Sequence, residues 1–265
     1  MGGILMVSPI KFSIDDGIAF ISIDKAGTRN ALLPDDVFSL RRHLKRAEGD
    51  KEVRVVILGG EGHFCSGVDV NALDLIGNGR RWSRLGDFIA EIFEPLVQIL
   101  SNFSKPTIAV LDGVVAGAGL SIALNCDFRL ATKRVCITPA FSKLGLIPDC
   151  GGTWFLPRIL GAAKALEFAA FSDSLDAHRA QQLGLVTWVE DAATQEVILS
   201  RAKLIAALPC EAIVQLRQLI AANWSRSLSD AVNAESNVMS KLGESDNFRE
   251  GLRAFRDRRP PVFRS

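Results

Sequence analysis

Apolar and polar residues alternate loosely along residues 18–23, the pattern of a strand with one face in a core. Residues 12–14 repeat the pattern, and Asp15-Asp16-Gly17 between them has the chemistry of a tight hairpin turn. Pro34-Asp35-Asp36 then predicts a helix start, with acidic residues where the dipole favours them. That helix runs to about Glu48 and is stopped by Gly49. Residues 53–58 form a short, wholly apolar run, the mark of a strand buried on both faces. Phe88, Ile89, Ile92, Phe93, Leu96, Val97, Leu100 and Phe103 recur at helical spacing, with Pro95 expected to bend the helix without abolishing it. Residues 107–111 and 128–131 are further strands. From Asp191 onward the pattern turns helical, over residues 194–207, 211–224 and 228–242. Strand and helix alternate with glycine-rich turns between them, so the expected class is α/β with parallel strands and helical crossovers. No internal repeat or low-complexity segment is visible in the sequence.

Two segments stand apart because each places small residues where a buried strand should end. One is Gly60-Glu61-Gly62-His63-Phe64-Cys65-Ser66-Gly67-Val68-Asp69 and the other Gly117-Ala118-Gly119-Leu120-Ser121-Ile122-Ala123-Leu124-Asn125. Small residues let a backbone approach a ligand and leave its N–H groups free to donate. Two such groups brought together would hold the oxygen of a polarised carbonyl, an oxyanion hole. Two other readings of the second segment compete. Gly119-Leu120-Ser121-Ile122-Ala123 resembles a degraded nucleophile elbow, with Asp149 and His178 following in hydrolase order, but the final glycine is missing. A dinucleotide-binding turn fails because Ile122 stands where the third glycine belongs.

Taken in order, these segments resemble the enoyl-CoA hydratase/isomerase (crotonase) superfamily. The resemblance begins at Ile23-Asp24-Lys25-Ala26-Gly27-Thr28-Arg29-Asn30-Ala31-Leu32 and continues through Lys105-Pro106-Thr107-Ile108-Ala109. It then takes in Phe141-Ser142-Lys143-Leu144-Gly145-Leu146-Ile147-Pro148-Asp149-Cys150-Gly151-Gly152-Thr153-Trp154 and ends at Phe248-Arg249-Glu250-Gly251-Leu252-Arg253-Ala254-Phe255. It implies a spiral of repeated ββα units over residues 1–195. A C-terminal helical trimerisation region, residues 196–265, would pack on the spiral and on neighbouring subunits as a homotrimer or dimer of trimers. It also implies an acyl-CoA substrate, with CoA as part of the thioester and no further cofactor.

By the same resemblance, Val68 and Ala118 supply the oxyanion N–H groups, each contributing roughly 3–4 kcal/mol to an enolate when water is excluded. Arg29 and the run Ser66, Gly67, Val68, Asp69 fall at positions near the adenine and pantetheine, with Asp69 also suited to holding the following turn. The family's hydratases use two glutamates, and here those positions hold Ser121 and Phe141. Asp149 matches the acid/base of the phenylacetate-pathway isomerases, which share a near-identical segment around it. A carboxylate there could instead cap the helix starting near Gly151. The implied reaction is double-bond migration in an acyl-CoA, or a related aryl-CoA rearrangement, through a thioester enolate. Hydration by Asp149 alone, a Ser121 thioesterase and a non-catalytic CoA-binding protein are the alternatives. Arg256, Arg258 and Arg259 form a basic cluster that either reaches CoA phosphates or ends a helix. Residues 74–86 correspond to the variable part that lines the acyl pocket in the family.

Composition narrows the picture. With 31 Lys and Arg against 30 Asp and Glu, the chain has no bulk field to attract nucleic acid. Five cysteines with no C-x-x-C pair and three histidines without ligand spacing give no disulfide frame and no metal site. Residues 1–10 lack a signal-peptide pattern and no apolar run is long enough for a bilayer, so a cytoplasmic location is expected, or an organelle matrix in a eukaryote. His63 is expected in a solvent-facing loop, and Glu91 and Glu94 as exposed helix charges.

Overall fold

The computed structural model describes residues 8–264, so most of the N-terminal stretch considered above lies outside the described residues. Strands β1 (Ile10–Asp15) and β2 (Ile18–Ile23) pair antiparallel. Their turn places Asp16 and Gly17 at φ 46° and 73°, the left-handed pair that a two-residue hairpin requires. Helix α1 (Pro34–Gly49) opens as expected. The Asp36 carboxylate accepts from Leu33 N at 2.9 Å and from Lys25 Nζ at 2.6 Å, so one buried acid fixes both the helix start and the preceding loop.

Strand β3 (Val55–Gly60) begins two residues later than the apolar run that predicts it. The long amphipathic segment is two helices, α2 (Leu85–Ile92) and α3 (Glu94–Ser101), joined at Phe93. Pro95 has no N–H, and its ring crowds the carbonyl one turn back, so the helix divides where a bend was expected. Its apolar stripe survives: Phe88, Ile92, Phe93, Leu96, Leu100 and Phe103 are all fully buried.

Strands β4 (Thr107–Leu111) and β5 (Val114–Ala116) lead into helix α4 (Ala118–Asn125). Strands β6 (Phe128–Thr132) and β7 (Cys136–Thr138) precede helix α5 (Gly152–Leu160). Helices α6 (Ala162–Phe171) and α7 (Ala177–Gln182), strand β8 (Trp188–Glu190) and helices α8 (Gln195–Ala206), α9 (Cys210–Asn223), α10 (Leu228–Gly243) and α11 (Asp246–Arg256) complete the chain.

The main sheet has the order β1-β2-β3-β4-β6-β8 and is parallel from β2 onward. A second layer pairs β5 with β7, and Cys65 bridges Val115 at its edge. The chain therefore repeats one step, a main-sheet strand, a short second-layer strand and a helix: β4-β5-α4, then β6-β7-α5. No sequence repeat announces this spiral, because the repeated unit is a path of the backbone. Helix α8 covers the outer face of the sheet, setting Ala202 and Ile205 against Ile18, Val55, Ile57 and Val110. Helix α9 is tied to the sheet by Arg217, whose Nη1 lies 3.0 Å from the Asp127 carboxylate. That carboxylate also accepts from Thr107 N at 2.8 Å and Thr107 Oγ1 at 3.0 Å. No helix among the described residues is long and apolar enough to cross a membrane.

Candidate functional site

The two glycine-bearing segments lie side by side. Cys65 N donates to Val114 O at 3.2 Å and Ala116 N to Cys65 O at 2.9 Å, a short parallel ladder that sets residues 65–68 against residues 114–118. Gly67 has φ 105° and Gly117 φ 52°, conformations that leave the chain without side chains at its closest approach. A β-carbon on Gly119 would lie 2.4 Å from Cys65 O. Glycine is therefore required on both sides by contact as well as by backbone angle.

The hydrogen bonding of this corner leaves two N–H groups over. Leu32 N donates to Gly67 O and Asp69 N to Leu32 O, at 2.8 and 2.9 Å. A parallel bridge of this kind uses the residues flanking Val68 and turns the Val68 N–H away from Leu32. Ala118 is the first residue of α4, where no intrahelical acceptor exists and the dipole is positive. Neither N–H has a hydrogen-bond partner among the described residues. All eight residues of α4 are buried, so this helix end is packed within the protein on its own side.

Asp149 reaches the same helix. Ser121 Oγ donates to the Asp149 main-chain carbonyl at 2.7 Å, and Ser121 is one turn along α4 from Ala118, about 4.5 Å in axial rise. The Asp149 carboxyl does not cap α5; Gly151 occupies the cap position and no side chain bonds there. Its Oδ1 is buried without a partner. Burial pushes the carboxyl above the ordinary carboxylate range, partly offset by the neighbouring Cys150 thiol. The Cys150 thiol is in turn pushed up by burial, by Asp149 and by Cys65, a coupling that links the turn after Pro148 to the segment before Gly67. Cys65 itself, wholly buried, is raised to about 12.

The other predicted residues divide. Arg29 is exposed at φ 54°, its carbonyl accepts Ser66 N at 3.0 Å, and Ser66 Oγ donates to Thr28 O at 3.1 Å. The Arg29 loop and the Ser66–Asp69 run are thus joined by hydrogen bonds at Ser66, with Gly67 and Asp69 buried behind them. Asp69 is 5% exposed and accepts from Asn71 N and Nδ2 at 3.0 and 2.8 Å, so its carboxylate starts the following 3-10 turn. Phe141 is buried. Arg259 grips Glu250 at 2.6 Å, while Arg256 closes α11 and Arg258 follows it, both exposed. Ser121 is 1% exposed, has no imidazole among its partners and spends its hydroxyl on a main-chain carbonyl, so it is not set up as a nucleophile.

Several residues do more than the sequence indicates. His63 is half-buried, contrary to expectation, because its Nδ1 accepts Val114 N at 3.1 Å and its carbonyl accepts Asn30 Nδ2 at 2.5 Å. Asn30 is fully buried and also accepts from Lys25 N at 2.8 Å, joining the Arg29 loop to the first glycine segment. Glu91 accepts from Trp82 Nε1 at 2.7 Å and from Arg81 at 3.1 Å, pinning the irregular 76–84 stretch onto α2. Only the pairing of a tryptophan with an acid across that stretch hints at this in the sequence.

Comparison with known proteins agrees with this geometry. The family model for enoyl-CoA hydratase/isomerase matches residues 13–265. A Rhodobacter capsulatus protein named "Probable enoyl-CoA hydratase" is 35% identical over 258 residues, 96% of this chain and 97% of that one. The 1,2-epoxyphenylacetyl-CoA isomerase of Escherichia coli is 32% identical over 261 residues, covering 97% and 99%. The crystal structure of an enoyl-CoA hydratase from Polaromonas superposes with a TM-score of 0.87 at 31% identity, covering 96% and 99%. With its spiral core, paired glycine segments and near full-length match, this chain belongs to the enoyl-CoA hydratase/isomerase family.

Proposed function

We propose that the protein is an acyl-CoA isomerase that moves a carbon–carbon double bond from the 3- to the 2-position of a thioester, or rearranges a related aryl-CoA. The observation that carries this reading is the state of Asp149, a carboxyl held largely out of water, with one oxygen unpartnered and its affinity for a proton raised. Such a group can take a proton from carbon and give it back. It removes a proton from C2, the thioester oxygen becomes an enolate held by the Val68 and Ala118 N–H groups, and the same carboxyl returns the proton at C4. Mass is unchanged and one acid suffices. Ser121 and Phe141 stand where a two-acid hydratase would carry glutamates, which favours isomerisation. The likeness to an epoxyphenylacetyl-CoA isomerase favours testing aryl substrates as well.

The CoA moiety lies along Arg29 and the Ser66–Asp69 run in this reading, and no cofactor beyond the substrate's own CoA takes part. The chain assembles as a homotrimer or dimer of trimers through its C-terminal helices, where Leu216, Ile220, Trp224, Met239 and Phe255 leave apolar surface exposed. Light scattering of the purified protein measures that state.

The deciding experiment offers 3-enoyl-, 2-enoyl- and aryl-CoA thioesters to the parent and to Asp149→Asn, and follows product mass and absorbance. Constant-mass conversion by the parent, lost in the variant with acyl-CoA affinity kept, supports the isomerase. A gain of one water from 2-enoyl-CoA assigns hydration by a single acid. No turnover and no exchange of α-protons with deuterated water assigns a binding protein.

A further inference from the structure

Where the sequence loses a carboxylate at position 121, the structure puts a hydrogen-bonded relay. Ser101 Oγ on α3 donates to Asn125 Oδ1 at 2.8 Å. Asn125 Nδ2 on α4 donates to the Ser121 carbonyl at 3.2 Å, and Ser121 Oγ donates to the Asp149 carbonyl at 2.7 Å. Ser121 and Asn125 are 1% and 5% exposed, so the last two links run through the interior. The Asp149 carbonyl also accepts Gly152 N at 2.7 Å, which uses both of its acceptor positions.

The turn so held is not one the chain adopts freely. Cys150, a residue with a side chain, sits at φ 51°, and Gly151 follows at φ 85°. Left-handed geometry at a non-glycine residue costs on the order of 1–3 kcal/mol and persists only when the surroundings fix it. Gly152 is required by contact, since a β-carbon there would lie 2.9 Å from Ser121 Oγ and 2.8 Å from Pro148 Cβ. The Asp149 Oδ1 has no hydrogen-bond partner, and the side chain that does act on the carboxyl, the Cys150 thiol, belongs to the same turn, so the main chain of that turn sets where the carboxyl points.

Resting on the reading of Asp149 as acid/base, we infer that Ser121 is its positioning residue: the hydroxyl acts on the Asp149 main chain, fixes the strained turn and so aims the carboxyl at the substrate carbon. Ser121 touches no reacting atom in this role. Loss of the hydroxyl would misplace the carboxyl by a fraction of its working distance, for which about 10- to 100-fold in rate is the expected scale.

The test measures Ser121→Ala, Ser121→Cys and Asp149→Asn side by side on the best thioester from the substrate panel. Ser121→Ala is expected to lower kcat about 10- to 100-fold with acyl-CoA dissociation constant unchanged. The acid limb of its kcat profile should move to lower pH, because a loosened carboxyl regains water. Ser121→Cys, a weaker donor of similar shape, should fall between parent and alanine, and stands in if the alanine variant does not fold. Parental kcat and pH profile in Ser121→Ala with Asp149→Asn inactive overturns the positioning role and leaves Asp149 as the acid. Joint loss of turnover, affinity and thermal midpoint in both serine variants also overturns it, as collapse of the turn. Parental turnover in Asp149→Asn overturns the acid assignment itself.

Discussion

Gly67 and Ala118 are in contact through their backbones: a β-carbon on Gly67 would lie 3.3 Å from the Ala118 nitrogen and 3.2 Å from Ala116 O. This relationship joins the two candidate oxyanion segments, and a side chain at Gly67 would have to push its backbone neighbours back by a few tenths of an ångström. Gly67 also has φ 105°, which an L residue rarely adopts. Gly67→Ala is therefore expected to move the Val68 N–H, lowering kcat by about 10²–10³, the cost of losing one oxyanion donor. Steady-state kinetics beside a circular dichroism melt separates this from unfolding, since the fold should survive with a loss of roughly 1–3 kcal/mol.

Asp149 makes stability and activity depend on pH in opposite senses. Its folded-state pKa lies above the ordinary value of 3.8, because burial disfavours the charge. Below 3.8 the carboxyl is neutral folded and unfolded, and burial carries no penalty. As pH rises from there through the folded pKa, the unfolded chain ionises more readily and stability falls. Asp149→Asn should be more stable than the parent at neutral pH and no different at low pH, in urea melts across that range. Activity runs the other way: kcat/KM should drop on the acid side with a limb above the ordinary carboxylate range, and the Asn variant should lose about 10²–10⁴-fold in turnover.

Much of this was legible in the sequence, for reasons that differ by element. The hairpin, α1 and β4 could be read because their local chemistry and their tertiary role agree: Asp16-Gly17 wants a left-handed turn, and Pro34-Asp35-Asp36 wants a helix start. Strands β5, β7 and β8 could not be read, being three residues long each and stabilised only by partners distant in the chain. The break at Phe93 was missed because an unbroken apolar stripe hides a divided backbone. At the site, the glycines and Asp149 carry a sequence signal. The Ser101–Asn125–Ser121 relay carries none, since it crosses from α3 to the turn after Pro148 and depends on the fold to assemble.

Arg217 should matter to stability more than its surface helix implies. It reaches from α9 to the Asp127 carboxylate, 7% exposed, and also donates to the Phe103 carbonyl. Arg217→Met keeps the stem and removes the charge, leaving a buried acid with Thr107 as its hydrogen-bond donor and the Arg129 guanidinium nearby. Breaking one side of such a pair costs about 3–5 kcal/mol. Urea unfolding should give a loss near the lower end of that range, because the two Thr107 bonds remain. A change under 1 kcal/mol would mean that α9 is held by its apolar contacts alone.

Glu250 and Arg259 decide what the basic C-terminal cluster is free to do. Glu250 accepts from Arg259 at 2.6 Å and from Val262 N at 3.0 Å, and those contacts hold its carboxyl down at about 2. Asn247 adds a reciprocal pair with Arg264, at 2.9 and 2.8 Å, so the last residues are folded back along α11. A cation already engaged by a carboxylate is a poor phosphate ligand unless the pair opens first. Glu250→Gln should therefore loosen the tail, raising amide exchange and protease cleavage over residues 259–264 with little change in thermal midpoint, as expected for an exposed pair. Because the folded pKa is depressed, the parental tail should hold at neutral pH and loosen only as pH falls from the ordinary glutamate range toward about 2. If Arg259 instead serves the thioester's phosphates, Glu250→Gln should tighten acyl-CoA binding by releasing it, and Arg259→Ala should weaken binding most at low ionic strength, with the difference fading as salt screens the contact. Unchanged affinity in both variants assigns the pair to tail anchoring and leaves Arg256 and Arg258 as the cations free to meet a ligand.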